Sequence, residues 1–354
     1  MNTARRTHLV DIGEVSRMLA ARIQSLAPDL FPHGQRRGAE YVVGSLAGEV
    51  GDNLSIRLTG GKAGVWKDFV ANVSGDSLDL VAQTLFRGEK SGALTWSRRW
   101  LGLDTGDAAA LETARRETPT PAQADAKSKE DAEQARSGAF RIWLAGEKQI
   151  RDTPVDTYLR GRGISLAELG RAPGAIRFHS GLWHQRSGRS WPAMVTQISG
   201  PEGFMACHRT WLEIQSDGSV KKAPVEPNKA VLGAYRTGHI ALWRGASGKP
   251  LAQAEQGETC DLSEGIEDGL SVAIVAPECR VVAAVALANM AAIVLPPAIT
   301  AVRIWKQNDE KAAAVAAFDR AVLAHMAAGR EVIIPEIPRH LKDVNDLLRA
   351  EGNG

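Results

Sequence analysis

From Leu251 onward the chain alternates short apolar runs with helical stretches, and an acidic residue follows most of the runs. The runs are TCDLSEG, CRVVAAV, AVRIWKQ and REVIIPEI. Between them lie IEDGLSVAIVA, LANMAAIVL and a long helical stretch from Lys311 to Ala328 capped by Gly329, and LKDVNDLLRAEG closes the chain. Strands that alternate with helices predict a parallel sheet, because a parallel connection needs a crossover long enough to hold a helix. In such sheets ligands bind beyond the carboxyl ends of the strands. Glu264 follows the first run, Asp309 and Glu310 the third, and Asp343 and Asp346 the last. Carboxylates gathered at one sheet edge repel one another unless a divalent cation neutralises them, and phosphoryl transfer uses such a cation. Each of these acids also stands at a strand-to-helix junction, where carboxylates serve as helix caps. Taken singly, each acid leaves both readings open.

Upstream the period is two. IRFHSGLWH, SWPAMVTQI, GFMACHRTWLEI and HIALWRG alternate apolar with polar residues between Gly, Pro and Asp turns, which predicts an antiparallel β-rich subdomain over residues 139–250. Its tryptophans, Trp183, Trp191, Trp211 and Trp243, are expected to pack its core rather than to stack on bases. Charge separates the two regions. Residues 139–250 hold 16 Lys or Arg against 8 Asp or Glu, and residues 251–354 hold 9 against 15. A basic surface beside an acidic module fits a surface that tracks phosphates next to metal-binding carboxylates, although ordinary surface variation gives the same counts.

Residues 104–138 are rich in Ala, Thr, Pro and charge without apolar periodicity, and are expected to form a linker, helical in its second half. Before it, residues 1–103 predict an amphipathic helix from Ile12 to Leu26, a small antiparallel sheet with Gly-rich turns, and a closing helix with Asp76 as N-cap. The three cysteines, Cys207, Cys260 and Cys279, are too far apart for a metal knuckle and suggest a reducing compartment. The first residues lack a continuous apolar segment and no later run reaches membrane-spanning length, so a cytoplasmic protein with no membrane contact is expected.

SEGIEDGLSVAIV, VVAAVALANMAAIVLPP, VRIWKQND and KDVNDLL together resemble the Toprim domain of primase-like proteins from phages and mobile elements, over residues 251–354. TYLRGRGI, IRFH, PAMV, HRTWLE, KKAP and AVLG resemble the segment that precedes it in those proteins. GVWKDF followed by GDSLDLVA resembles the end of the zinc-binding domain of bacterial-type primases. The resemblance implies an α/β Toprim sheet (α+β for the whole chain) behind a basic β-rich subdomain and a small N-terminal primase-type domain. It further implies a nucleotidyl transferase that takes NTPs on single-stranded DNA with Mg²⁺ or Mn²⁺, and work in DNA replication.

Carried over by position, Glu264 matches the acid/base residue and Asp309 the second aspartate of the metal motif, whose first aspartate is here Gln307. An amide oxygen brings no charge, so weakened cation binding is expected. Glu310, Asp343 and Asp346 complete the metal candidates. The N-terminal unit has no cysteine and only His8 and His33 as histidines, so no zinc is expected there; its core would rest on Trp66, Phe69, Leu78 and Leu80. Arg36, Arg37, Lys62 and Lys67 are its candidates for touching template. For nucleotide or template, the candidates are His208, Arg209, Lys221, Lys222 and Lys229 on one hairpin, Arg160 and Arg162 beside Tyr158, and Lys342. No GxxxxGK[ST] loop occurs, so a replicative helicase partner would be a separate polypeptide. Two other readings remain: a non-catalytic nucleic-acid-binding protein on a degenerate Toprim scaffold, and a Toprim nuclease.

Overall fold

Asp11 accepts a hydrogen bond from the Glu14 amide at 2.8 Å, and this cap starts α1 (Ile12–Ala21). The expected single helix to Leu26 is instead two, because Arg22 leaves the helical region (φ −108°, ψ 18°) before α2 (Ile23–Leu30). The computed structural model describes residues 10–103, 108–308, 311–338 and 340–351. It divides into two units, residues 1–132 and 133–354.

In the first unit, β1 (Gln35–Arg37), β2 (Glu40–Val43), β3 (Leu54–Arg57), β4 (Trp66–Asp68) and β5 (Val73–Gly75) pair in chain order as an antiparallel meander. Then come α3 (Ser77–Phe86), opened by a capping box between Asp76 and Asp79, and α4 (Lys90–Trp100). Trp66, Leu78 and Leu80 are buried, whereas Phe69, expected in the core, is 62% exposed. The reason is local. Asp68 turns inward and accepts the amides of Val70 and Ala71 at 2.9 and 2.8 Å, and this turn sends Phe69 outward beneath the Lys67 ammonium. The stretch expected as a linker is helical where it is described, except at residues 118–120. It forms α5 (Ala108–Glu117) and the start of α6 (Pro121–Ala145). Its Ala, Glu, Lys and Arg are strong helix formers. Ala114 is buried in the N-terminal core, and Arg115 and Glu117 pair with Glu14 and Arg22, each at 2.7 Å.

In the second unit, α7 (Pro154–Arg160) starts with Pro154 in its first turn and gives way to Gly161 and Gly163. β6 (Ile176–His184), β7 (Arg189–Gly200), β8 (Gly203–Ile214), β9 (Val220–Lys222) and β10 (Lys229–Gly233) build an antiparallel sheet in the order β10-β8-β7-β6, with β9 also on β8. A bulge between His179 and Leu182 sets Leu182 inward and leaves Trp183 54% exposed, against the expectation that it packs the core. Trp211 and Trp243 are buried.

The last sheet has the order β11-β13-β12-β14-β15, from β11 (Ile240–Arg244), β12 (Glu258–Ser263), β13 (Arg280–Ala283), β14 (Ile299–Ile304) and β15 (Glu331–Ile333). β12 to β15 are parallel, with α8 (Ile266–Val275), α9 (Leu287–Met290), α10 (Ala312–Ala327) and α11 (Val344–Glu351) interleaved or following. HIALWRG departs from the expectation. It is β11, the antiparallel edge of this sheet through pairing with β13; among the described residues a single bridge, Ser199–His239, links its start to the β-rich sheet, while Ile240 and Leu242 share a buried core with that sheet's Met194 and Leu212. Alternation identifies a half-buried strand but not its partner. Among the described residues, no helix is long and apolar enough to cross a membrane.

Candidate active site

Glu264 immediately follows β12 and is half-buried. Four positions on, the first turn of α8 carries Asp268, which is buried. This i, i+4 spacing places both residues at the carboxyl end of the central strand. Burial, and then the nearby charges of Asp343, Glu267 and Glu264, push the Asp268 carboxyl up to about 6. Gln307, in the loop after β14, opposes this by donating from Nε2 to Asp268 Oδ2 at 2.8 Å.

Asp343 reaches this cluster because Asn308 holds the segment before α11. The Asn308 amide donates to the Lys342 carbonyl at 2.8 Å, and its Nδ2 donates to the carbonyls of Leu341 and Pro338 at 2.8 and 3.2 Å. Asp343 is buried and also caps α11, accepting the Asp346 amide at 3.0 Å. The half-buried Asp346 turns back to the Lys342 amide at 3.3 Å. The capping role therefore holds for these two acids alongside any role in the site. Asp309 and Glu310 lie outside the described residues.

A divalent cation would relieve the strain on Asp268, whose carboxyl is pushed up first by burial and then by the charges of Asp343, Glu267 and Glu264. Among the described residues, however, no three His, Cys, Asp or Glu side chains converge as a set that could hold a metal. A neutral amide occupies the Asp268 oxygen that a cation would take.

A second cluster joins the two sheets. Glu267, beside Asp268 on α8, accepts the Tyr158 hydroxyl at 2.5 Å and pairs with Lys222 at 3.2 Å. Burial disfavours its charge, but the Lys222 ammonium and the Tyr158 hydroxyl outweigh this and hold its carboxyl down to about 2. Burial and the Glu267 charge push the Tyr158 hydroxyl well up. His208 is buried nearby, and burial, opposed by Glu267 but reinforced by Lys229, Lys222 and Arg209, holds it neutral at about 4. Strand register puts Lys229 opposite Thr210 and Lys222 opposite Leu212, so His208, Lys222 and Lys229 share one face.

The other basic candidates lie apart from that face. Lys221 is exposed opposite Glu213, and Arg209 lies over the Trp211 ring at 5.1 Å on the other face. Arg160 pairs with Asp156 at 3.3 Å. Arg162 is half-buried, and its carbonyl accepts from Asn345 of α11 at 2.8 Å. Lys342 is exposed next to Asp343. In the first unit, Arg37 pairs with Asp52 at 3.1 Å, Arg36 bonds Gln24 at 3.4 Å, and Lys62 and Lys67 are exposed. Glu267, Asp268 and Asn308 went unsingled among the site candidates. The carboxylate one helical turn after Glu264 was the available signal for Asp268; nothing local announced the other two.

With this geometry in place, comparison with known proteins assigns the C-terminal part. Residues 261–354 match the Toprim domain family, and residues 133–242 match a domain family of unknown function (DUF7146). The chain thus carries a Toprim domain at its C-terminal end, and the acids after β12 and before α11 fall inside it. Among solved structures, the chain is similar to the crystal structure of the primase fragment of the bacteriophage T7 primase-helicase protein. The identity is 14%, the match covers 86% of this chain and 92% of that one, and the TM-score is 0.36. No curated protein matches.

Proposed function

We propose that this protein is a primase-like nucleotidyl transferase that joins NTPs on a single-stranded DNA template in the cytoplasm. The observation that carries the reading is that Glu264 and Asp268 follow the central Toprim strand, within reach of the Asp343 charge and next to the face bearing Lys222 and Lys229. Glu264, half-buried and not engaged in any hydrogen bond among the described residues, is the acid/base that takes the proton of the attacking hydroxyl. Gln307, Asp309 and Glu310 of the sequence motif, with Asp343, Asp346 and Asp268, are the residues that would hold Mg²⁺ or Mn²⁺. When bound, the cation would neutralise phosphate charge in the transition state.

Lys229, Lys221, Arg209, Arg160, Arg162, Lys342 and His208 would serve the triphosphate or the template backbone, while Lys222 is engaged by Glu267. The N-terminal unit would add Arg36, Arg37, Lys62 and Lys67 along the template, and a helicase, where one is used, would come from a separate polypeptide. The test is template-directed synthesis of short oligonucleotides by the purified full chain with either metal. A second reading, a non-catalytic nucleic-acid-binding protein, draws on one observation: the Gln307 amide occupies Asp268 where a cation would sit.

A further inference from the structure

A cavity of about 760 Å³ opens beside the edge strand β11, well within the range of roughly 300–1,000 Å³ that ligand sites occupy. It lies at the other end of the sheet from the acids. Arg280, which opens β13, the Leu251–Ala252 step before β12 and the Pro296–Pro297 step before β14 all line it, whereas Glu264 and Gln307 follow their strands.

The walls are chiefly apolar, and two features make them selective. The Arg171 guanidinium lies over the Trp243 ring at 4.6 Å, so an aromatic and a cationic surface stand together at the wall. His239, only 6% exposed, also lines the cavity, and its Nδ1 finds no hydrogen-bond partner among the described residues. Burial holds this imidazole neutral, at about 4. A buried ring nitrogen without a partner is costly unless a ligand or water supplies one. The charge is one-sided as well: Arg171, Arg244 and Arg280 line the cavity and no carboxylate does, among the described residues. Arg280 is engaged by Glu258 at 2.8 Å, which leaves Arg171 and Arg244 as the cations most able to meet an anion.

We propose that this cavity binds a ligand joining a planar aromatic ring to an anionic group, of the size of a nucleoside monophosphate, at a site separate from the Toprim acids. The ring lies against the apolar wall at Trp243 and His239, and the anion meets Arg171 and Arg244. Two sources carry that chemistry, a free nucleotide and the 5′-phosphorylated end of a strand.

The test is calorimetric titration of the full chain with AMP, GMP, CMP and UMP, with adenosine and inorganic phosphate as partial ligands. At least one monophosphate binds without Mg²⁺, and the two partial ligands bind at least about tenfold more weakly. Arg171→Ala weakens it at least about tenfold by removing the cation. Gly174→Phe does the same by filling space: Gly174 lines the cavity, and an added Cβ there meets no atom within 4 Å, with an unchanged unfolding midpoint as the check that the fold is kept. Glu264→Gln, although it removes the acid/base of the separate Toprim site, leaves the affinity for the monophosphate as it is. Competition by a 5′-phosphorylated oligonucleotide, but not by its 5′-hydroxyl form, identifies a strand end as the source, and no competition identifies the free nucleotide. Failure of all four monophosphates to bind at millimolar concentration would overturn the proposal. So would binding that is lost in Glu264→Gln and kept in Gly174→Phe, since that locates it among the acids.

Discussion

Gln307 Nε2 donates to Asp268 Oδ2 at 2.8 Å, across 39 positions of sequence, and so a neutral amide caps a carboxylate that three other acids repel. The bond has two consequences. It stabilises the acidic edge without a cation, and it competes with any cation for the same oxygen.

Gln307→Asp replaces the donor by a fourth like charge. Without metal, the variant should lose about 1–3 kcal/mol in urea unfolding, the cost of a lost buried hydrogen bond and an added repulsion. Millimolar Mn²⁺ should restore this loss and raise the midpoint more in the variant than in the wild type, by mass action on a tighter site. Equal metal responses in the two proteins would show that Gln307 does not limit cation binding.

Asp268 links the same edge to pH. Its carboxyl is raised from 3.8 to about 6, so the folded state holds the proton more tightly than the unfolded state does. The folded state is therefore favoured below about pH 4, and this advantage is lost as pH rises through 6. Two units correspond to about 3 kcal/mol as an upper figure. Asp268→Asn should accordingly stabilise the protein by up to about 3 kcal/mol at pH 8 and be near neutral at pH 4, read from unfolding curves at both values. A variant that is destabilised equally at both would contradict a carboxyl raised by burial and by the neighbouring acids.

How much of this edge was legible in the sequence depends on the range of each contact. Glu264 and the Toprim strands were readable because buried parallel strands appear as apolar runs and Glu264 follows the first directly, whereas Asp343 stands ten residues after β15 and was found through the KDVNDLL motif. The partners were not, because Asp268 meets Gln307 and Glu267 meets Tyr158 only after the sheets are assembled. HIALWRG was recognisable as a strand, but its pairing with β13 is set by tertiary packing that alternation does not encode. The helical character of residues 108–117 was hidden by the lack of an apolar stripe. One small residue, Ala114, and two ion pairs tie that helix to the N-terminal core.

Glu267 should prove a structural joint between the two sheets. Tyr158→Phe removes a 2.5 Å bond, and Lys222→Met removes the counter-charge at 3.2 Å. Each should cost about 1–3 kcal/mol, since each leaves a largely enclosed carboxylate, 17% exposed, short of a partner. In a double-mutant cycle the two should couple by about 0.5–3 kcal/mol. Additive losses would mean that the two side chains act on Glu267 independently.

Glu264 is the residue on which the proposed nucleotidyl transfer depends most directly. The direct measurement is synthesis of short oligonucleotides from NTPs on single-stranded DNA, with Mg²⁺ and with Mn²⁺, by the wild type and by Glu264→Gln with matched unfolding curves. Template-dependent product from the wild type, reduced at least about a hundredfold in the variant, is the predicted result. Product from the variant at the wild-type rate, or salt-sensitive DNA binding by the wild type without product under either metal, would contradict it.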